Sequence, residues 1–535
     1  MSSKLKKKRK EKDAVGEICR YLLQYETILS GVLICLILPL ALKNGYYKIG
    51  DFKFKVYAWL CGGSIAVILV TLVFYLIGIR KDIRIKDIPS RLSVTDKFVI
   101  AYFLLIFISW LLNGKYLKDN LMGYPGWFMG LFAQFTFFFI FLAFSRFAKD
   151  QMFVIAALVF SSAAAYGFGI LHRLMIDPLH TYEGIDSYYY MLFLSTLGQN
   201  SWYSSFICSF LPFMMAVYII SEKRGLRIFV GVFCIEGFMT LISQNTDSAY
   251  LAVMGTFLLL LYFCSDTALK MRQLCELAFG FLMGGKLMQL LLIMHPNEYL
   301  DVDEITDFLM FSPLVWLLIA AVAIVWAVFF MLDKKKIDTK KPLKLIRRGV
   351  YAIVVLFVIA SAMILVLGAK GRLSQSMTGI ISKMPYLTWS YEWGNGRGFT
   401  WTVTWKMITE FSPLKLLFGV GPDGYAKYGY EFYQDLIRSV WGENILTNAH
   451  NEWLNMIVDG GLLGGVAYAG IYISAMVRFA KRSKELPVLI CFAACIASYM
   501  CHNLFCYQQV LCTPFIFILM AFGEYRIRNM EGTAG

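Results

Sequence analysis

Apolar runs of roughly 15–27 residues, most of them 17–24, recur along this chain, about the length that a bilayer core of about 30 Å asks of a helix. They lie at about 27–43, 56–79, 98–112, 127–145, 152–171, 203–220, 227–243, 249–264, 274–294, 312–332, 349–368, 450–476, 487–505 and 509–523. The alternating segments of about ten residues that mark a barrel are not what these runs look like. A single polar stretch is long, residues 369–449. The pattern predicts an all-α polytopic membrane protein of about fourteen transmembrane helices (twelve to fourteen), with one large extracytoplasmic loop carrying short helices. The expected order is a basic cytoplasmic tail (1–26), helices one to eleven (27–368), the large loop (369–449), helices twelve to fourteen (450–523) and a second cytoplasmic tail (524–535).

Composition agrees: of 535 residues 58% are hydrophobic, and the mean hydropathy is +0.60. The net charge of +15 would suggest nucleic acid in a soluble chain. Here Lys and Arg cluster between apolar runs, so they read as topology signals facing anionic lipid, and no nucleic-acid partner is expected. The basic stretches are 1–26, 80–97, 333–348 and the loop after 476. With fourteen spans all four fall on one side with both termini, the cytoplasmic side of a plasma membrane. Acidic 177–187 and 295–307 fall opposite, with 369–449, while the lysines of 43–55 are an exception. The 12 cysteines sit mostly in apolar runs, and 369–449 has none; they read as packing residues, without a disulfide framework or zinc spacing. Glu236 and Lys286 stand out inside spans and could pair.

Chemistry on a polar substrate then falls to 369–449. Its Arg372, Arg397 and Arg438 can hold phosphate oxygens in a bidentate fork, or anchor at headgroups. Arg397 lies between Gly396 and Gly398, which let a bulky polar group approach the backbone. Trp401 and Trp405 are four apart, as on an interfacial helix; such rings also stack on sugar faces. Gly419 and Gly421, with Pro413 and Pro422, mark tight turns. Asn448 is the expected N-cap of the twelfth span, with His450 and Asn451 in its first turn. Asn451, Asn455 and Asp459 form a polar row spaced by four. A neutral His450 there could take a proton from a hydroxyl, or orient it. Gly460/Gly464 and Gly461/Gly465 read as small-residue pairs for close helix packing.

Arg397-Gly398 with Trp401, then Ser412-Pro413-x-x-Leu416-Leu417-Phe418-Gly419-x-Gly421, then Ala449-His450-Asn451-x-x-Leu454 and Gly460-Gly461-Leu462-Leu463-Gly464 together resemble the signature of the O-antigen ligase and polymerase superfamily. Leu197-Gly198-Gln199-Asn200 is similar to a Gly-Asn element of its earlier spans. Asp247 departs from a Ser-Arg pair that many members carry. The resemblance implies an inverting, metal-independent glycosyltransferase of the C-type membrane architecture, without a cofactor, in a bacterial plasma (inner) membrane. It implies a glycan on undecaprenyl pyrophosphate as donor, with a glycan, lipid, wall-polymer or protein hydroxyl as acceptor. Arg397 would hold the pyrophosphate and His450 would activate or position the acceptor. Charge and position add Arg372 and Arg438 to the donor side; Trp401, Gly419, Gly421, Asn451 and Asn455 are the supporting residues. The alternative is a transporter or flippase of lipid-linked glycans. It should show internal repeats, broken helices and several intramembrane charges. The sequence has no clear repeat, and among intramembrane charges only Glu236 and Lys286 stand out.

Overall fold

The structure, a computed structural model, describes residues 3–79, 91–295 and 302–532. The charges of Arg80, Lys81, Arg84 and Lys86, and of Glu298 and Asp301, lie outside the described residues. The chain is helical almost throughout. Among the described residues its strands are β1 (Phe193–Leu194) and β2 (Gly198–Gln199), an antiparallel pair.

Each of the fourteen expected spans falls on a helix. Eleven are long and apolar enough to cross a membrane, among the described residues. They are α1 (Ser3–Leu40), α2 (Ile49–Ile79), α3 (Val94–Leu112), α5 (Gln151–Arg173), α6 (Asn200–Ile220), α7 (Arg224–Ser243), α8 (Asp247–Cys264), α9 (Ala268–Met294), α10 (Leu314–Lys334), α11 (Lys340–Ala369) and α14 (Glu452–Arg482). The others are shorter or more charged: α4 (Leu131–Phe147), α15 (Leu489–His502) and α16 (Thr513–Met530), which ends in Glu524, Arg526 and Arg528. α15 and α16 are buried along nearly their whole length. α15 packs on α6 and α8, α16 on α4, and α14 on α3. α11 is the opposite case: Ile353, Leu356 and Phe357 are exposed, a surface for lipid. It is tied to α8 by Tyr351, whose hydroxyl donates to the Leu258 carbonyl at 2.8 Å.

The interior holds more charge than the sequence suggested. Ser93 and Asp96 form a capping box at the start of α3, and the buried Asp96 carboxylate pairs with Arg146 at 3.2 Å and with Arg528. Buried Glu524 pairs with Arg478 at 3.2 Å. Buried Lys53 donates to the Leu38 and Pro39 carbonyls at the end of α1, at 2.9 and 2.8 Å. Most of these groups sit near ends of apolar runs, where span edges hide them. Glu236 and Lys286 do not pair. Lys286 reaches the Met310 and Ser312 carbonyls at 2.7 and 3.0 Å, because the helix Glu304–Phe311 ends over it with unsatisfied acceptors.

Residues between α11 and α14 form a string of short helices: Gln375–Ile381, α12 (Trp393–Glu410), α13 (Pro413–Phe418), Tyr425–Phe432 and Gln434–Trp441. They bury their own apolar core, with Phe399, Val403, Met407, Val420, Tyr425 and Ile437, and close it on Val458 of α14. α12 is thus a packed helix. Trp405 stays 62% exposed, whereas Trp401 turns onto Phe505 in a stacked pair at 5.7 Å. The expected interfacial pair is therefore split.

α14 is broken at Gly461, whose φ of 69° and ψ of −176° belong to glycine almost alone. The break frees the Val458 and Asp459 carbonyls. The turn after α13 satisfies them: Val420 N–H donates to Val458 at 2.9 Å and Gly421 N–H to Asp459 at 3.0 Å. Gly419 and Gly421 seat this turn, both at positive φ. So Gly461 interrupts its helix and receives the end of α13 with the turn after it; the close packing that the small-residue pattern suggested is made by Gly461 against this short helix, whereas Gly465 faces Ile457 of its own helix.

Candidate active site

α14 begins one turn later than expected. Asn451 is its N-cap, its side chain accepting from Leu454 N–H at 3.0 Å. Asn448 holds the His450 N–H instead, at 2.8 Å. Asn455 Oδ1 accepts the Ala449 N–H at 2.9 Å, and its amide donates to Asp459 at 2.8 Å. The polar row is therefore real, and its upper members fold the 448–450 turn back over the helix. His450 is left with a left-handed backbone, φ 46°, and a half-buried ring that takes no hydrogen-bond partner among the described residues.

Glu452 docks the connection between α15 and α16. Its N–H donates to the Asn503 carbonyl at 3.0 Å. Its buried carboxylate accepts from Asn503, from Tyr468 and from Tyr499, the last at 3.2 Å. That contact brings residues 505–507 against the polar segment. Tyr507 lies edge-on to the His450 ring at 5.1 Å and to Trp127 at 4.6 Å. Arg397 grips the Phe505 carbonyl with Nε and Nη2, at 3.1 and 3.0 Å, and donates through Nη1 to Gly394 at 2.5 Å. Three of its five N–H groups are committed, so two remain for an anion.

Burial is the largest influence on Arg397 and lowers its pKa, though a guanidinium stays charged. Burial also lowers His450, to about 3, with the Arg397 charge adding to it. The histidine is neutral at pH 7. Asp423, in the turn after α13, accepts from the Tyr124 and Met129 N–H groups at 2.6 and 3.0 Å; burial raises it to about 6. Asp423, Asn448, Glu452, Asn455, Asp459 and Tyr507 help to line a cavity of about 20 Å³. That is room for a single water.

Arg397, Trp401 and His450 thus converge on residues 505–507, while Asn451 and Asn455 shape the turn that carries His450. Gly419 and Gly421 support them through the break in α14. Arg372 and Arg438 are exposed, and no ion pair or hydrogen bond ties either side chain to Arg397 or His450 among the described residues. Asp247, the residue out of pattern, opens α8; Tyr386 donates to it at 3.4 Å, and its charge reaches Arg397. Phe505, Tyr507 and Glu452 were missed in the sequence. The signal there is Asn503, Gln508 and Gln509, polar residues gathered where the apolar runs 487–505 and 509–523 meet.

Long apolar helices define a polytopic membrane protein, and at one end of them a carbonyl-held guanidinium stands close enough to a neutral imidazole to act on it through its charge. Residues 305–469 match the family model described as O-antigen ligase, which bears out the resemblance to that superfamily and contains both Arg397 and His450. No curated protein matches the chain.

Proposed function

We propose that this protein transfers a glycan from an undecaprenyl-pyrophosphate carrier to an acceptor hydroxyl at the outer face of a bacterial plasma membrane, in cell-surface polysaccharide biosynthesis. The carrying observation is that Arg397 and His450, both within the matched stretch, converge on residues 505–507, which lie beyond it. Both termini are then cytoplasmic, and 369–449 is the extracytoplasmic catalytic loop.

The two uncommitted N–H groups of Arg397 hold the pyrophosphate, which is already a good leaving group. The protein's tasks are therefore charge stabilisation, orientation and proton removal. The acceptor oxygen attacks the anomeric carbon as the bond from that carbon to the pyrophosphate oxygen breaks. Its proton passes to His450, and the electron pair leaves with undecaprenyl pyrophosphate. One displacement inverts the anomeric centre. A base with a pKa of about 3 is weak, but the arriving pyrophosphate offsets the Arg397 charge and strengthens it. The acceptor is thereby activated when the donor is in place. Arg372 and Arg438, exposed on the same segment, are proposed to meet the donor's outer charges.

Deleting the gene tests this reading. Loss or shortening of a surface glycan is expected, with lipid-linked glycan accumulating at the outer face. Accumulation at the inner face would instead indicate a flippase.

A further inference from the structure

Beside Arg397 stands a group of aromatic rings that the transfer step leaves unused. Trp389 and Trp393 are stacked at 5.6 Å with 28° between their planes. Trp393 meets Trp401 edge-on at 5.3 Å, and Trp401 stacks on Phe505, whose carbonyl Arg397 grips. All four rings are half-buried. Trp393 is held by its indole N–H on the Tyr386 carbonyl at 2.9 Å, while the Trp389 N–H has no partner among the described residues.

The backbone between Trp393 and Arg397 is built to keep them together. Gly394, Asn395 and Gly396 are all left-handed, with φ of 61°, 57° and 82°, although such residues normally occur singly. The turn doubles the chain back, so that Arg397 donates to Gly394 next to Trp393. The two glycines adopt this conformation freely, so only Asn395 is strained, and such strain persists where its surroundings over-determine it.

A packing core would enclose these rings, and a membrane anchor needs only single indoles at headgroup depth. Here a tier of indoles is left half open beside a fixed cation. A pyranose ring has apolar C–H faces that stack on an indole, and a rim of hydroxyls for which the free Trp389 N–H is a donor. We propose that Trp389 and Trp393 form a sugar subsite holding the pyranose attached directly to the donor's pyrophosphate; this rests on the transferase reading above. Its consequence is discrimination. The glycan-bearing donor gains the stacking contact, and the bare carrier left after transfer loses it and departs.

The test uses the full-length protein in lipid nanodiscs and two probes: undecaprenyl pyrophosphate, and the same carrier bearing one N-acetylglucosamine. The wild type should bind the sugar-bearing probe roughly tenfold more tightly, the range of aromatic stacking. Trp393→Leu and Trp389→Leu should remove that preference and leave affinity for the bare carrier unchanged. Trp393→Tyr, which keeps a ring, should retain most of it, and the exposed Trp405→Leu all of it. Equal binding of the two probes by the wild type would overturn the subsite. So would equal weakening of both probes by the Trp variants, which is what a lipid anchor or a packing role produces. Wild type that binds neither probe contradicts the transferase reading itself.

Discussion

His450 is presented with its backbone pinned on both sides and its ring free, which is what a group that meets a substrate requires. His450→Ala should therefore fold and bind donor, yet transfer more slowly by about 10²–10⁴, measured as turnover against donor affinity. His450→Gln separates two roles: a base predicts a loss as large as that of Ala, whereas an orienting group keeps most of the rate. Asp423 gives a second prediction. Its folded pKa, about 6, lies above the usual carboxylate value, so the folded state binds the extra proton. Its stabilising effect is full in acid and is lost as pH rises through about 6. Thermal stability of the wild type relative to Asp423→Asn should rise by about 1 kcal/mol from pH 7.5 to pH 5, and no change would contradict the burial argument. Arg397, His450 and Asn455 were legible in the sequence because glycines and a helix start mark them locally. Glu452, Phe505 and Tyr507 were not, since their roles arise from contacts between 452 and 503 and between 450 and 507, which no local pattern encodes.

At the level of elements, the break in α14 joins the polar segment to the long helices. A Cβ on Gly461 would lie 2.2 Å from the Leu417 carbonyl carbon and oxygen. Gly464, three residues on, has open space at that position. Gly461→Ala should thus cost more than the roughly 1–3 kcal/mol of backbone strain alone, read as a lower melting temperature and poor accumulation in the membrane. Gly464→Ala should be neutral or slightly stabilising, because alanine favours a helix. Equal behaviour of the two variants would remove the special role of the break. The glycine spacing predicted close packing here, which Gly461 makes with the end of α13, but it did not show the break in α14, for a physical reason. A small-residue pair and a helix-breaking glycine look alike until the loop that fills the break is known. Helix positions were far more legible, because apolar runs of membrane length leave few alternatives.

For the whole molecule, all fourteen apolar runs lie on helices, while length and hydropathy alone qualify eleven of them among the described residues. Sidedness was argued from Lys and Arg and has its own check. In a variant without reactive native cysteines, Ser382→Cys and Asp338→Cys should label oppositely with an impermeant thiol reagent, Ser382→Cys from outside; labelling of both from outside would invert part of the map. The buried charges of Asp96 in α3 and of Glu524 and Arg528 in α16 were not legible, since each is paired with a residue from a distant run. The central claim is that Arg397 and His450 transfer a lipid-linked glycan. It is tested most directly by purified protein in liposomes containing EDTA, an undecaprenyl-pyrophosphate-linked glycan and an acceptor prepared from the same envelope, with wild type and Arg397→Lys compared. Glycosylated acceptor and released undecaprenyl pyrophosphate should form in equal amounts with the wild type. Arg397→Lys, which keeps the charge but loses the fork, should form little of either. Movement of the donor across the bilayer without transfer, or full activity of Arg397→Lys, would contradict it.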